Sequence, residues 1–202
     1  MFVLSTLNQT IRVPPHRFHL KLEDAIKDEL NKKFANKIIH NVGLCIALWD
    51  ITELEDSFVL PGDGSSFTKA HFRLVVFRPM KEQILVGKIK HCCREYVQVS
   101  MGFFEEIFIF PDALQHPARF DDTEQVWVWE YQTDEGSHDL FMDKDEEVRF
   151  RVTSFTFNET TIGNPSQDLT EAEQSDIFKN MPYFLTASIN EPGLGLLAWW
   201  AS

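Results

Sequence analysis

The chain has 202 residues, 44% of them hydrophobic, with 18 Phe, 19 Lys and Arg against 31 Asp and Glu, and a formal net charge of −12. This composition excludes wholesale disorder, and no run approaches the roughly 20 apolar residues that span a bilayer as a helix. Residues 1–80 carry 10 basic and 9 acidic side chains (net +1) while residues 81–202 carry 9 and 22 (net −13), a field that opposes counterion-driven attraction of the second half to nucleic acid.

The start, MFVLSTLNQTIRVPP, is apolar but has neither a basic n-region nor a small-residue cleavage site, so it does not read as a signal peptide. Met1 to Leu7 reads as a short strand. Pro14 and Pro15 fix an extended or turning segment. Phe18, Leu22, Ile26, Leu30 and Phe34 then recur every four residues, which predicts an amphipathic helix. Glu23 and Asp24 early and Lys32, Lys33 and Lys37 late match the helix dipole. Asn41 to Trp49, Glu53 to Leu60 and Thr68 to Phe77 read as strands. Pro61-Gly62-Asp63-Gly64 is a strong turn signal.

The second half reads almost entirely as strand: Ile84 to Lys90, Tyr96 to Met101, Ile107 to Phe110, Gln125 to Tyr131, His138 to Met142, Glu147 to Phe157 and Pro182 to Ile189. Pro111 to Leu114 reads as one helical turn opened by its proline. Three strands, a short helix and two strands follow the order of an OB-type barrel, here with an inserted hairpin over about 125–142. Residues 158–180 are polar and acidic, which predicts a mobile loop. The expected architecture is an α+β domain over residues 1–80 and an all-β OB-fold domain over residues 81–202.

The residues offer little for catalysis. Ser137-His138-Asp139 holds the types of a hydrolase triad, but consecutive strand residues point to opposite faces. Gly87-Lys88-Ile89-Lys90 is a glycine in a strand, not a phosphate loop, and Gly193-Leu194-Gly195 lacks the third glycine of a dinucleotide site. Cys92 and Cys93 are adjacent, without the spacer that lets two sulfurs converge on zinc. Cys45 lies within an apolar run. His16 and His19 straddle the helix start, and Asp143 to Glu147 lacks the glycine of a calcium loop. Three cysteines, an odd number, do not make a secreted disulfide framework. The expectation is a soluble protein of a reducing compartment, with no catalytic residue, metal or cofactor.

Two features suggest contacts instead. Trp127, Trp129 and Tyr131 share one strand face, and Phe103 and Phe104 follow Gly102; such rings either stack bases or pack against the barrel or a partner. Lys88, Lys90 and Arg94 could supply phosphate contacts, or form an ordinary solvated face. The C-terminal Leu194 to Trp200, LGLLAWW, is costly to leave in water. The expectation is that Leu196, Leu197, Trp199 and Trp200 are covered by the first domain or another subunit, the alternative being a self-contained core.

In order along the chain, MFVL, NVGLCIALWDI, LEDSFVLPGDGSS, FRLVVFRP, ILVGKI, GFFEEIFIFP, QVWVWEYQTDEGSHDLFMD, EEVRFRV and NEPGLGLLAWW resemble the larger stalk subunits of eukaryotic and archaeal RNA polymerases, the polymerase III branch most closely. The resemblance implies an N-terminal tip domain and a C-terminal OB-fold domain. It also implies a permanent 1:1 heterodimer with a small helical stalk subunit and docking on the RNA polymerase III core through the loop matching Pro61 to Gly64. Expected consequences are nuclear residence, support of initiation on tRNA, 5S rRNA and other short genes, contacts with initiation factors, weak single-stranded RNA contact and no membrane association. The alternatives are a free-standing OB-fold RNA-binding factor and an enzyme of unrecognised type.

Overall fold

The computed structural model describes residues 1–133, 136–158, 178 and 180–200. The chain divides into two compact units, Met1–Pro79 and Met80–Ser202.

The N-terminal unit is one helix on an antiparallel sheet. Its elements are β1 (Phe2–Val13), α1 (Leu22–Phe34), β2 (Lys37–Ile39), β3 (Gly43–Leu54), β4 (Phe58–Val59) and β5 (Ser66–Phe77). Strand order is β1-β5-β3-β2, with β4 also pairing β5. Along β5, Thr68, Ala70, Phe72, Leu74 and Val76 are buried and alternate with more exposed residues, the period-two pattern of a sheet with one covered face. The cover is α1, whose Ala25, Ile26 and Leu30 join Ile11, Val13, Cys45, Phe72 and Leu74 in one core.

Three sequence expectations change here. β1 runs to Val13 rather than Leu7, because twelve residues of β5 pair with it from Phe2↔Phe77 to Val13↔Ser66; the ladder satisfies backbone groups whatever the side chains at Asn8, Gln9 and Thr10. The helix starts at Leu22, not Phe18, because Pro15–Arg17 forms a 3-10 turn in which Phe18 N–H donates to Pro15 O at 3.1 Å. The expected strands at 41–49 and 53–60 become the single long β3 and the two-residue β4, with register shifts between Cys45 and Ala47, Leu48 and Asp50, and Ile51 and Glu53.

The C-terminal unit contains β6 (Ile84–Cys92), β7 (Val97–Ser100), β8 (Ile107–Ile109), β9 (Ala118–Asp121), β10 (Val126–Thr133), β11 (Gly136–Phe141), β12 (Glu147–Phe157), β13 (Tyr183–Ser188) and β14 (Gly195–Leu196). Antiparallel pairs β6–β7, β7–β8, β12–β13 and β12–β6, with parallel β8–β13, close a five-strand ring. A 3-10 turn at Pro111–Ala113 follows β8. This is the OB-type order. Ile89, Val97, Val99, Ile107, Phe150, Val152 and Leu185 fill the barrel, each fully buried.

The insertion is a three-stranded sheet, β11-β10-β9, rather than a bare hairpin. The sequence reading missed β9 because Ala118–Asp121 has only one large apolar residue, Phe120, opposite Trp127. The expected mobile loop over residues 158–180 lies outside the described residues, except for Asn158, Phe178 and Asn180.

Candidate interaction sites

Among the described residues no three His, Cys, Asp or Glu side chains cluster as a metal site. Asp139 ion-pairs with Arg119 at 2.6 Å on the sheet face opposite to that of His138, so Ser137-His138-Asp139 forms no relay. Burial pushes the Cys45 and Cys92 thiols up to about 11. Cys92 Sγ lies 3.7 Å from Met142 O, and Cys93 Sγ donates to Tyr96 O at 3.3 Å, so the adjacent thiols diverge.

On the barrel, Lys88 and Lys90 of β6 line an open groove of about 460 Å³ together with Ser100, Met101, Glu105, Asp145 and Glu147. Lys90 pairs with Glu105, and Lys88 sits opposite Glu147 in register. Arg94 lies elsewhere, its Nε donating to Asp122 at 2.9 Å. Three carboxylates against two ammonium groups make this groove a poor track for phosphates. Phe103 is exposed, but Phe104 is 2% exposed and packs on Tyr183 with ring centres 5.4 Å apart. Of the two roles open to Phe104, base stacking is ruled out by burial, and the ring packs in the core.

The aromatic strand and the tail explain one another. Trp127 is buried, its Nε1 donating to Cys93 O at 2.8 Å. Trp129 packs on Trp199 with ring centres 5.1 Å apart, on Tyr131 at 4.9 Å and on Trp200 at 6.4 Å. Leu194 and Leu196 are buried, and β14 adds to β12 through Val148↔Leu196. Gln115 pins the turn before the tail by donating to Glu191 O at 2.8 Å and Leu194 O at 3.3 Å. Trp200 Nε1 donates to Leu194 O at 3.0 Å. Contrary to expectation, the tail is covered mostly by its own unit, because the inserted sheet supplies a second apolar face. Leu197 is half-buried, and Tyr131 and Trp200 stay exposed at 44% and 40%. A partner surface would centre on these two rings.

In the N-terminal unit, Pro61 to Gly64 form an exposed turn between β4 and β5. Asp63 N–H donates to Leu60 O at 3.3 Å. The Arg12 guanidinium holds the Asp63 carboxyl below the usual carboxylate range, donating from Nε at 3.0 Å and from Nη2 at 2.7 Å. Beside the turn, Val13, Arg17, Phe18, Leu20, Leu22 and Val59 line a shallow groove of about 340 Å³. Phe18, Leu20, Phe58, Val59 and Leu60 are large apolar side chains left in solvent, a concentration of the kind found on contact surfaces. Sequence reading missed Arg12 and this apolar shelf, since its helical period assigned Phe18 to the core.

Residues 83–200 match the family model of RNA polymerase III subunit Rpc25, and residues 8–64 match the SHS2 domain found in N terminus of Rpb7p/Rpc25p/MJ0397. The chain is 57% identical over 203 residues to DNA-directed RNA polymerase III subunit RPC8 of Bos taurus, covering 100% of both chains. It is 36% identical over 203 residues to subunit rpc8 of Schizosaccharomyces pombe, covering 99% of this chain and 100% of the other. A more distant similarity, 26% over 104 residues, covers 50% of this chain and 61% of the DNA-directed RNA polymerase II subunit RPB7 of Saccharomyces cerevisiae. With an SHS2 unit followed by an OB-type barrel and end-to-end similarity to polymerase III subunits, the chain belongs to the Rpc25 family of RNA polymerase III stalk subunits.

Proposed function

We propose that the chain is the larger, non-catalytic member of a two-subunit stalk. In this reading residues 1–80 are the tip domain and residues 81–202 the OB-fold domain. The chain pairs 1:1 with a small helical subunit, docks on the polymerase III core through Pro61 to Gly64, and supports initiation on tRNA, 5S rRNA and other short genes in the nucleus. Contacts with initiation factors and weak contact with emerging RNA complete the role. The observation that carries the reading is the 57% identity to a polymerase III subunit along the whole of both chains. Exposed apolar side chains at the Pro61 turn and the exposed rings of Tyr131 and Trp200 support an assembly role.

The decisive test is size-exclusion chromatography with light scattering on this chain alone and co-expressed with the small stalk subunit. A 1:1 complex that survives high salt supports a permanent apolar interface. Separate monomers overturn the heterodimer. Tight, salt-sensitive RNA binding by the lone chain would then favour a free-standing OB-fold factor, against which the acidic groove around Lys88 and Lys90 argues.

A further inference from the structure

Residues 58–64 are all exposed, so no buried side chain of their own anchors the turn. Gly62 and Gly64 sit at φ of 93° and 70°. Glycine takes those angles without strain, but it also loses the most backbone freedom when it is ordered. Across the turn, Asp63 N–H reaches Leu60 O at a long 3.3 Å. Ser65, directly after the turn, is fully buried and fixes where it ends, and contacts from outside the turn limit the freedom of its two glycines.

Arg12 supplies such a contact. It lies on β1 between Ile11 and Val13, both buried under α1, and opposite Phe67 in the ladder. Its backbone is therefore fixed by packing on both sides. From that base the guanidinium donates two parallel hydrogen bonds to the Asp63 carboxylate, at 3.0 and 2.7 Å, across 51 residues of chain. A planar fork on a carboxylate sets orientation as well as distance. Arg12 and Asp63 are 55% and 34% exposed, so the pair adds little to global stability. Its effect is local, on a loop with two glycines.

We infer that Arg12 is a positioning residue for docking: its bidentate pair with Asp63 holds Pro61 to Gly64 in the shape that engages the polymerase core. The inference rests on the docking reading above and adds a residue to it that lies outside the loop. Lysine, a point charge without the fork, should replace Arg12 only in part.

The test uses the full chain, co-purified with its small partner and titrated against polymerase III core stripped of the stalk. Arg12→Gln and Asp63→Asn should each weaken docking about tenfold, and Arg12→Lys by less, as expected when a pre-ordered contact must be ordered on binding. The reversed pair, Arg12→Asp with Asp63→Arg, should recover most of the affinity. Amide exchange across residues 62–65 should quicken in the single variants and slow again in the reversed pair. Singles that dock like the wild type overturn the inference. A reversed pair that restores slow exchange but docks no better than the singles also overturns it, because the core would then be reading Arg12 or Asp63 directly. If the unmutated complex fails to bind the core, the docking reading itself falls, whatever the exchange rates show.

Discussion

The indole of Trp199 lies against the backbone of Gly195: a Cβ on that glycine would come within 2.6 Å of the Trp199 ring. The same indole also packs on Trp129, with ring centres 5.1 Å apart. Gly195 has φ of 105°, a value that L side chains rarely adopt, so both space and backbone require glycine there. The C-terminal tail therefore closes onto the inserted sheet only because this position carries no side chain.

Gly195→Ala should accordingly lower the stability of the C-terminal unit by about 2 kcal/mol or more, from overpacking and backbone strain together. Trp199→Ala should cost a similar amount by leaving Trp129 uncovered. Urea denaturation followed by tryptophan fluorescence measures both, and wild-type midpoints for both variants would show that the tail does not pack as described.

Phe103 and Phe104 should separate cleanly. Phe104→Ala removes a buried ring that packs on Tyr183 and should cost about 3–5 kcal/mol. Phe103→Ala removes a ring that is 42% exposed and should lower the melting temperature by less than Phe104→Ala, while reducing whatever single-stranded RNA binding the chain has. Thermal melts paired with fluorescence-anisotropy titrations of an oligouridine distinguish the two.

The three thiols should react unequally. With Cys45 and Cys92 pushed up to about 11, only about one molecule in a thousand carries either thiolate at pH 8. A disulfide reagent should therefore titrate at most one thiol quickly in the native protein, namely Cys93, and all three in denaturant. Rapid native reaction of two or more would contradict the packing of β3 and β6.

Acid should remove one stabilising contribution from the N-terminal sheet. The Arg73 guanidinium, whose Nε donates to Asp50 at 2.8 Å, holds that carboxyl below its ordinary value. A depressed carboxylate stabilises the fold above its unfolded pKa, near 4, and loses that contribution as pH falls through its native value. Arg73→Gln should thus be less stable than wild type at pH 7, with the gap closing below about pH 4. Denaturant titrations at pH 7, 5 and 3 follow this; a gap that stays constant with pH would remove Asp50 as its source.

How much of this was legible beforehand depended on whether the signal was local. The alternation of β5, the Pro61-Gly62-Asp63-Gly64 turn and the strand order of the barrel could all be read, because each rests on neighbours within a few residues. Ile26 and Leu30 fell on the buried face of α1 as their spacing required. Phe18 carried the same spacing yet ended in solvent, since periodicity does not register that the Pro15 turn interrupts the helix. β9 was missed for a related reason: Ala118–Asp121 is a strand because β10 pairs with it, not because of its own composition.

By itself, the sequence determined two regions of opposite charge balance, a mostly β second half of OB-type order, no visible catalytic constellation and a strong resemblance to polymerase stalk subunits. Tertiary structure alone decided which aromatic residues are core and which remain on the surface. Phe104 and Trp127 went inside, while Phe103, Tyr131 and Trp200 stayed out. It also joined Arg12 to Asp63 and Trp129 to Trp199, partners 51 residues apart in one case and in separate elements in the other. The physical reason is common to both. Burial and pairing depend on what arrives from distant parts of the chain, and composition, spacing and charge describe only what each residue brings with it.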